Sequence, residues 1–173
     1  MRVADWIVDR LSKIGVKHIF LLPGGGAMYL NDAVAKHPEL EGIACHHEQA
    51  CGIAAEAYGR TGAPNNPGFG VAMVTTGPGS TNIITPVAGA WIDSVPMLIL
   101  SGQAKKSDRI CGRPVRQGGV QEVDIESIVK PITKYAMTVD DAADVAHCLD
   151  KALYHMRQDR SGPVWIDIPL DVQ

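Results

Sequence analysis

His18-Ile19-Phe20-Leu21-Leu22 is a short, mostly apolar run that stops at Pro23-Gly24-Gly25-Gly26. A run this short, bounded by turn residues, reads as a buried strand rather than a helix. Before it, Val3, Trp6, Ile7, Leu11 and Ile14 recur at helical period. After it the alternation repeats. Gly42–Cys45, Val71–Val74, Met97–Leu100, Tyr135–Val139 and Val164–Ile168 read as five more strands. A helix rich in small residues follows the second strand, with Ala50, Ile53, Ala54 and Ala57 on one face. Pro78 suits the first turn of the next helix, which is expected to bury Ile83, Ile84, Val87 and Trp91. Asp140 or Asp141 can cap a last helix whose apolar stripe is Val145, Cys148, Leu149, Ala152, Leu153 and Met156. Thr61–Gly68 and Gly102–Gly119 break the pattern and read as loops. The second is long, polar and basic, the kind of loop that is usually functional or disordered.

Strands alternating with helices build βαβ units. The expected fold is therefore α/β: a three-layer, doubly wound, mostly parallel six-stranded sheet with helices on both faces, in one domain over residues 1–173. Such sheets bind ligands beyond the C-terminal ends of their strands. Pro23–Gly26, Cys45–Gln49, Thr75–Asn82 and the residues from Ser101 onward each follow a strand. Pattern alone thus gathers the unusual residues at one site.

Composition removes several alternatives. The net charge is -3, with no Lys/Arg-rich block, so nucleic acid is not an expected partner. No apolar stretch approaches the roughly 20 residues that span a bilayer, so no membrane partner is expected. The first fifteen residues are amphipathic and broken by charges, unlike a signal peptide, so the expected compartment is cytoplasmic. The four cysteines form no C-x-x-C pair and no zinc-spaced Cys/His cluster, so no metal site is expected. Cys45 and Cys51 flank Glu48. A functional thiol there stays open beside the simpler reading, apolar packing by reduced thiols.

Four stretches carry chemistry, and each has a plain reading as well. Glu48 opens a helix, where an acid complements the helix dipole. Walled by Ala and Ile, it could instead be partly buried and keep a proton available. Gly24–Gly26 is no dinucleotide fingerprint, because Tyr29 stands where its last glycine would, and no Walker lysine follows. It is a turn where backbone comes close to a ligand or a neighbouring helix. Thr75-Thr76-Gly77-Pro78-Gly79-Ser80-Thr81-Asn82 is either an efficient strand-to-helix turn or a flat peptide platform with Asn82 as a polar anchor. Gln121, at the end of the long loop, reads by itself as a solvated amide.

Taken together, PGGGAM, HHEQACGIAAEAYGR, TTGPGSTN, DSVPMLILSGQ, VQEVDI, KPITKY and GPVWIDIPLDVQ resemble the N-terminal, pyrimidine-binding domain of the acetolactate synthase-like family of thiamine diphosphate enzymes. The motifs cover nearly the whole chain in the family's order. The resemblance implies that Glu48 is the catalytic glutamate that hydrogen-bonds the cofactor's aminopyrimidine ring nitrogen. By sharing its proton it favours the imino tautomer that deprotonates the thiazolium C2. Pro23, Gly24 and Gly25 fall on the turn facing the pyrimidine. Thr76, Gly77, Pro78 and Asn82 fall on the opposite wall. Gln121 falls near the reacting carbon, and Val120, Gln121 and Lys134 on the substrate channel. The implied activity is that of a lyase or transferase that decarboxylates a 2-oxo acid and ligates the product to an acceptor carbonyl. A non-catalytic binding or scaffold module that keeps the fold is the alternative, and such a module would be free to lose Glu48.

Departures from the family bear on the substrate. Val120 stands where acetolactate synthases usually carry Phe, and the loop Lys105–Gly118 differs from theirs. The His-His pair of pyruvate decarboxylases is missing between Gly102 and Gln121. The family holds Mg²⁺ and the diphosphate through a Gly-Asp-Gly segment of a separate domain, and this chain contains no Gly-Asp-Gly. The chain is therefore expected to be a fragment of a longer multidomain enzyme or a free-standing module, inactive alone. A requirement for FAD stays open. The resemblance also implies a homodimer or homotetramer through the helices at 48–60 and 78–91, where Ala54, Ala55, Ala57 and Gly59 would permit close helix approach.

Overall fold

Two seven-residue strands, Met97–Gln103 (β4) and Pro163–Pro169 (β6), are buried along their whole length. They lie side by side at the centre of a computed structural model that describes residues 1–61 and 67–173. Strands buried on both faces are near-continuous apolar runs, as in any parallel sheet covered by helices. His18–Leu21 (β1), Glu41–Ala44 (β2), Gly70–Val74 (β3) and Tyr135–Thr138 (β5) complete the sheet. Its order is β2-β1-β3-β4-β6-β5, and every neighbouring pair is parallel. The α/β three-layer expectation holds, with a wholly parallel sheet. The edge strands β2 and β5 are the least buried, as solvent on one side requires.

The helices divide between the faces. Val3–Lys13 (α1), Met28–Lys36 (α2) and Val145–Arg157 (α7) build one apolar layer with the sheet. Glu48–Thr61 (α3), Pro78–Asn82 (α4), Ile84–Asp93 (α5) and Ile125–Val129 (α6) lie over the other. All six stripe residues expected on α7 are buried, and Asp141 caps its entry by accepting from Ala143 N at 2.9 Å.

Three expectations need correction. The helix after Pro78 is broken at Ile83, because Pro86 has no N–H to donate to the Asn82 carbonyl one turn back. Within it Ile83 and Val87 are fully buried, but Ile84 is only half-buried and Trp91 is 41% exposed. On α3 the buried residues are Cys51, Gly52 and Ala55, whereas Ala50, Ile53 and Ala57 face outward. Ala55 and Gly59 are committed to packing within the chain: a Cβ on Gly70 would sit 1.8 Å from the Ala55 carbonyl, and one on Gly59 2.9 Å from that of Pro96. The long loop starts later than expected, because Gly102 and Gln103 continue β4 by pairing with Ile168 and Pro169. Of the loop expected at Thr61–Gly68, residues 62–66 lie outside the described residues. Among the described residues no helix is long and apolar enough to cross a membrane.

Candidate functional site

The chain leaves β1 for α2 on one face and leaves β3 for α4 on the other. The turns after β1 and β3 therefore part at the C-terminal edge of the sheet, the topological switch point where such folds bind ligands. Thr75 is the hub between them. Its Oγ1 accepts from Gly26 N at 3.0 Å. A Cβ on Gly24 would lie 2.5 Å from the Thr75 side chain, and one on Gly79 2.8 Å from it. These glycines are needed because two turns meet with no room for side chains. Thr76, nearly fully buried, donates from Oγ1 to the Gly102 carbonyl at 3.1 Å and binds the β3 turn to β4. Two amides grip the first turn: Asn31 Nδ2 donates to Gly24 O (3.4 Å), and Gln173 Nε2 to Gly26 O (2.6 Å).

Glu48, the first residue of α3, is half-buried. Asn82 Nδ2 donates to its Oε2 at 2.5 Å, and the same amide lies 3.3 Å from His47 Nε2. Its other oxygen, Oε1, faces Gly79, 3.5 Å from the point a Cβ would occupy there. Glu48 enters none of the ion pairs among the described residues. One carboxylate oxygen is thus anchored, and the other is turned toward the glycine turns.

Gly77 has φ +58, and a Cβ on it would lie 1.8 Å from the Gln121 carbonyl. Gln121 itself has φ +56. Two left-handed backbones therefore meet, and only glycine fits on the Gly77 side. Beside them opens a cleft of about 310 Å³, lined among others by Gly25, Gly26, Thr76, Val120, Gln121 and Lys105. Val120 is 85% exposed in it. Pro23 and Pro78 are exposed.

Lys134 is the one expected site residue that the fold does not bring here. It precedes β5, at the N-terminal edge of a parallel sheet, and the other site residues follow strands at the C-terminal edge. Its Nζ donates to the Gln158 and Arg160 carbonyls. Cys51 is fully buried, and burial, followed by the neighbouring Cys45, pushes its thiol up to about 12, which supports packing rather than reactivity.

Two acids escaped the sequence reading. Glu122 organises the long loop: its carboxylate accepts from the backbone N–H of Ile110 (2.5 Å), Gly118 (2.9 Å) and Gly119 (3.0 Å). Burial pushes its pKa up, but these three donors outweigh burial and hold it below the ordinary carboxylate value. Asp167 of β6 is completely buried, with a raised pKa of about 7, caused by burial and opposed by hydrogen bonds from Ser101 and Gln103. A readable signal did exist, one acid in the middle of the apolar run Val164–Ile168.

Residues 1–128 match the family described as thiamine pyrophosphate enzyme, N-terminal TPP binding domain. The chain is 40% identical over 164 residues to a mitochondrial acetolactate synthase of Schizosaccharomyces pombe, covering 95% of this chain and 23% of that protein. It is 36% identical to the acetolactate synthase large subunit of Lactococcus lactis (96% and 27% covered). Against the chloroplastic acetolactate synthase of Arabidopsis thaliana it is 33% identical (98% and 24% covered). It spans about a quarter of the length of these relatives. The parallel sheet, the glycine turns at its switch point and these matches agree: the chain belongs to the thiamine pyrophosphate enzymes, as an N-terminal TPP-binding domain of the acetolactate synthase-like kind.

Proposed function

We propose that this domain supplies the pyrimidine side of a thiamine diphosphate site in an enzyme that decarboxylates a 2-oxo acid and ligates the product to an acceptor carbonyl. The observation that carries the reading is Glu48, with Oε2 anchored by Asn82 and Oε1 turned toward the glycine turns. A planar aminopyrimidine needs just such a carboxyl group for its ring nitrogen and closely approaching backbone for its edges. When bound, the cofactor would supply the electron sink that lets carbon dioxide leave. Glu48 holds or gives a proton at Oε1. Asn82 fixes the carboxyl plane, and the turns after β1 and β3 orient the ring. Val120, Gln121 and Lys105 face the cleft in which we place the 2-oxo acid and its acceptor. Lys134, at the other edge of the sheet, has no part in this reading.

Among the described residues no cluster of three or more His, Cys, Asp or Glu could hold a metal ion. We place Mg²⁺ and the diphosphate on a further domain. We further propose that two copies pair through α3 and α5, where Ile53 (56% exposed), Trp91 and Ile92 (69%) face outward. Sedimentation of this chain at high concentration tests that pairing, and a monomer throughout would refute it.

The test of the cofactor site uses the enzyme that carries this domain. Glu48→Gln should fold normally but slow hydrogen–deuterium exchange at the cofactor C2 by about 10²–10⁴-fold, the usual worth of a positioned proton-transfer group. Unchanged exchange would sink the assignment. The isolated chain, lacking the diphosphate contacts, should bind thiamine diphosphate with Mg²⁺ more weakly than about micromolar by calorimetry.

A further inference from the structure

We propose that Asp167 is a positioning residue: acting through Gln103, it holds the Val120–Val123 segment, and so Gln121, against Gly77. Asp167 takes no part in the cofactor chemistry above, yet it is completely buried in the sheet and accepts hydrogen bonds from three side chains. Ser101 Oγ donates to its Oδ1 at 2.5 Å. Gln103 Nε2 and Thr138 Oγ1 donate to its Oδ2 at 2.9 and 3.3 Å. Trp165 Nε1 donates to Ser101 Oγ at 2.8 Å, which leaves the serine proton for Asp167.

The consequence falls on Gln103. Its Nε2 carries two protons, and the second goes to the Val123 carbonyl at 3.0 Å. Its Oε1 accepts from Ala104 N at 2.9 Å. Were the amide flipped, Oε1 would face two acceptors, the Asp167 carboxylate and the Val123 carbonyl, and Nε2 would face an N–H. A buried group left without partners is costly, so the carboxylate at 167, together with the Val123 carbonyl and the Ala104 N–H, fixes which way Gln103 points. Gln103 in turn pins Val123, two residues beyond Gln121. Glu122 restrains the same segment from the loop side. Between these two ties lies the left-handed Gln121, whose carbonyl packs on Gly77.

The strand ladder between β4 and β6 is complete in the backbone, so pairing of these strands does not call for an acid. Burial raises the Asp167 pKa to about 7, so the acceptor on which Gln103 depends takes up a proton near neutrality. The charged groups around this network are Arg109, paired with Asp140 beyond β5, and Glu126 of α6, whose Oε2 accepts from Thr138 N. That Gln121 faces a substrate rests on the reading in the preceding section. That Asp167 sets its position does not.

The experiment is NMR on the 173-residue chain without cofactor, with Asp167→Asn, Gln103→Met and Ser101→Ala variants. Asp167→Asn and Gln103→Met should shift the Gln121, Glu122, Val123 and Gly77 amides in a common pattern. Ser101→Ala should leave them in place, because it removes a donor from Oδ1 without touching Gln103. In the parent chain these amides should titrate with the same midpoint as the Asp167 carboxyl carbon, and in Gln103→Met that titration should vanish while Asp167 still titrates. A merely structural acid would not transmit its titration selectively to the loop. Unmoved loop amides in Gln103→Met, or a loop titration that survives in it, would overturn the proposal. Should Asp167→Asn fail to fold, Gln103→Met decides alone, since it leaves the acid in place. No thiamine diphosphate is present, so the outcome is independent of the cofactor assignment.

Discussion

Helices α7 and α3 cover opposite faces of one sheet and pack by opposite means. α7 drives Cys148, Leu149, Leu153 and Met156 into a layer of large aliphatic side chains. α3 presents Cys51, Gly52 and Ala55, and brings its backbone close enough to β3 that Gly70 has no room for a methyl group. Filling a space with side chains tolerates trimming at a cost set by the cavity left behind. Backbone-to-backbone approach tolerates no addition at all, because neither partner can turn aside.

The largest effect should come from adding one methyl group on the α3 side. Gly70→Ala should cost about 5 kcal/mol, enough to populate unfolded chain at ambient temperature, since α3 must leave the sheet. Stability near the parent's in urea would show that α3 has slack.

A second test separates charge from shape. Asp167 lies in the sheet between the two layers, and its folded pKa of about 7 exceeds the ordinary 3.8. The folded state therefore keeps a proton that the unfolded state has lost. The stability from this group is fully present below about pH 4 and fades as pH rises to 7, by about 4 kcal/mol at 1.36 kcal/mol per pH unit. Urea midpoints should fall across that window in the parent and should not fall in Asp167→Asn. A parent curve without the fall would show Asp167 ionised throughout.

Trimming the α7 side gives the next effect. Leu149→Ala should cost about 3 kcal/mol with the urea slope unchanged. The smallest effect belongs to the outward face of α3. Ile53→Ser should change monomer stability by less than about 0.5 kcal/mol, while weakening any self-association seen by sedimentation. A loss comparable to that of Leu149→Ala would mean that Ile53 is buried within the chain after all.

The two helices also explain what the sequence made legible. The α7 stripe is large, apolar and bordered by charge, so periodicity named its buried face. On α3, Ala and Ile fall on one face and Cys, Gly and Ala on another, and apolar periodicity chose the wrong one. The buried face was marked instead by Gly52 and Gly59, residues that weaken a helix unless backbone must come close. All six strands were visible as apolar runs between turn residues, and the edge where the glycine turns gather followed from parallel topology. Thr75, Gln103 and Asp167 were not singled out as site residues, because their partners lie far along the chain; Glu122 was missed although its partners are near, because they are backbone N–H groups that carry no sequence signal. Gln103 meets Asp167 across 64 residues, and one sequence does not record which acid finds which amide. Lys134 was misplaced for the converse reason: a motif tells which residue recurs, and only topology tells at which end of its strand it lies.

The Glu122 carboxylate closes the chain on itself between Ile110 and Gly118. For protein engineering this makes the bracketed stretch, Cys111 to Gln117, an exchangeable cassette. Doubling its length would add only about 0.6 kcal/mol of closure entropy. Arg113, which donates to the Asp108, Arg109 and Ile110 carbonyls, is the residue within it to retain in any transplant. The stretch can thus be rewritten while the β1 and β3 turns, which it does not support, keep their shape.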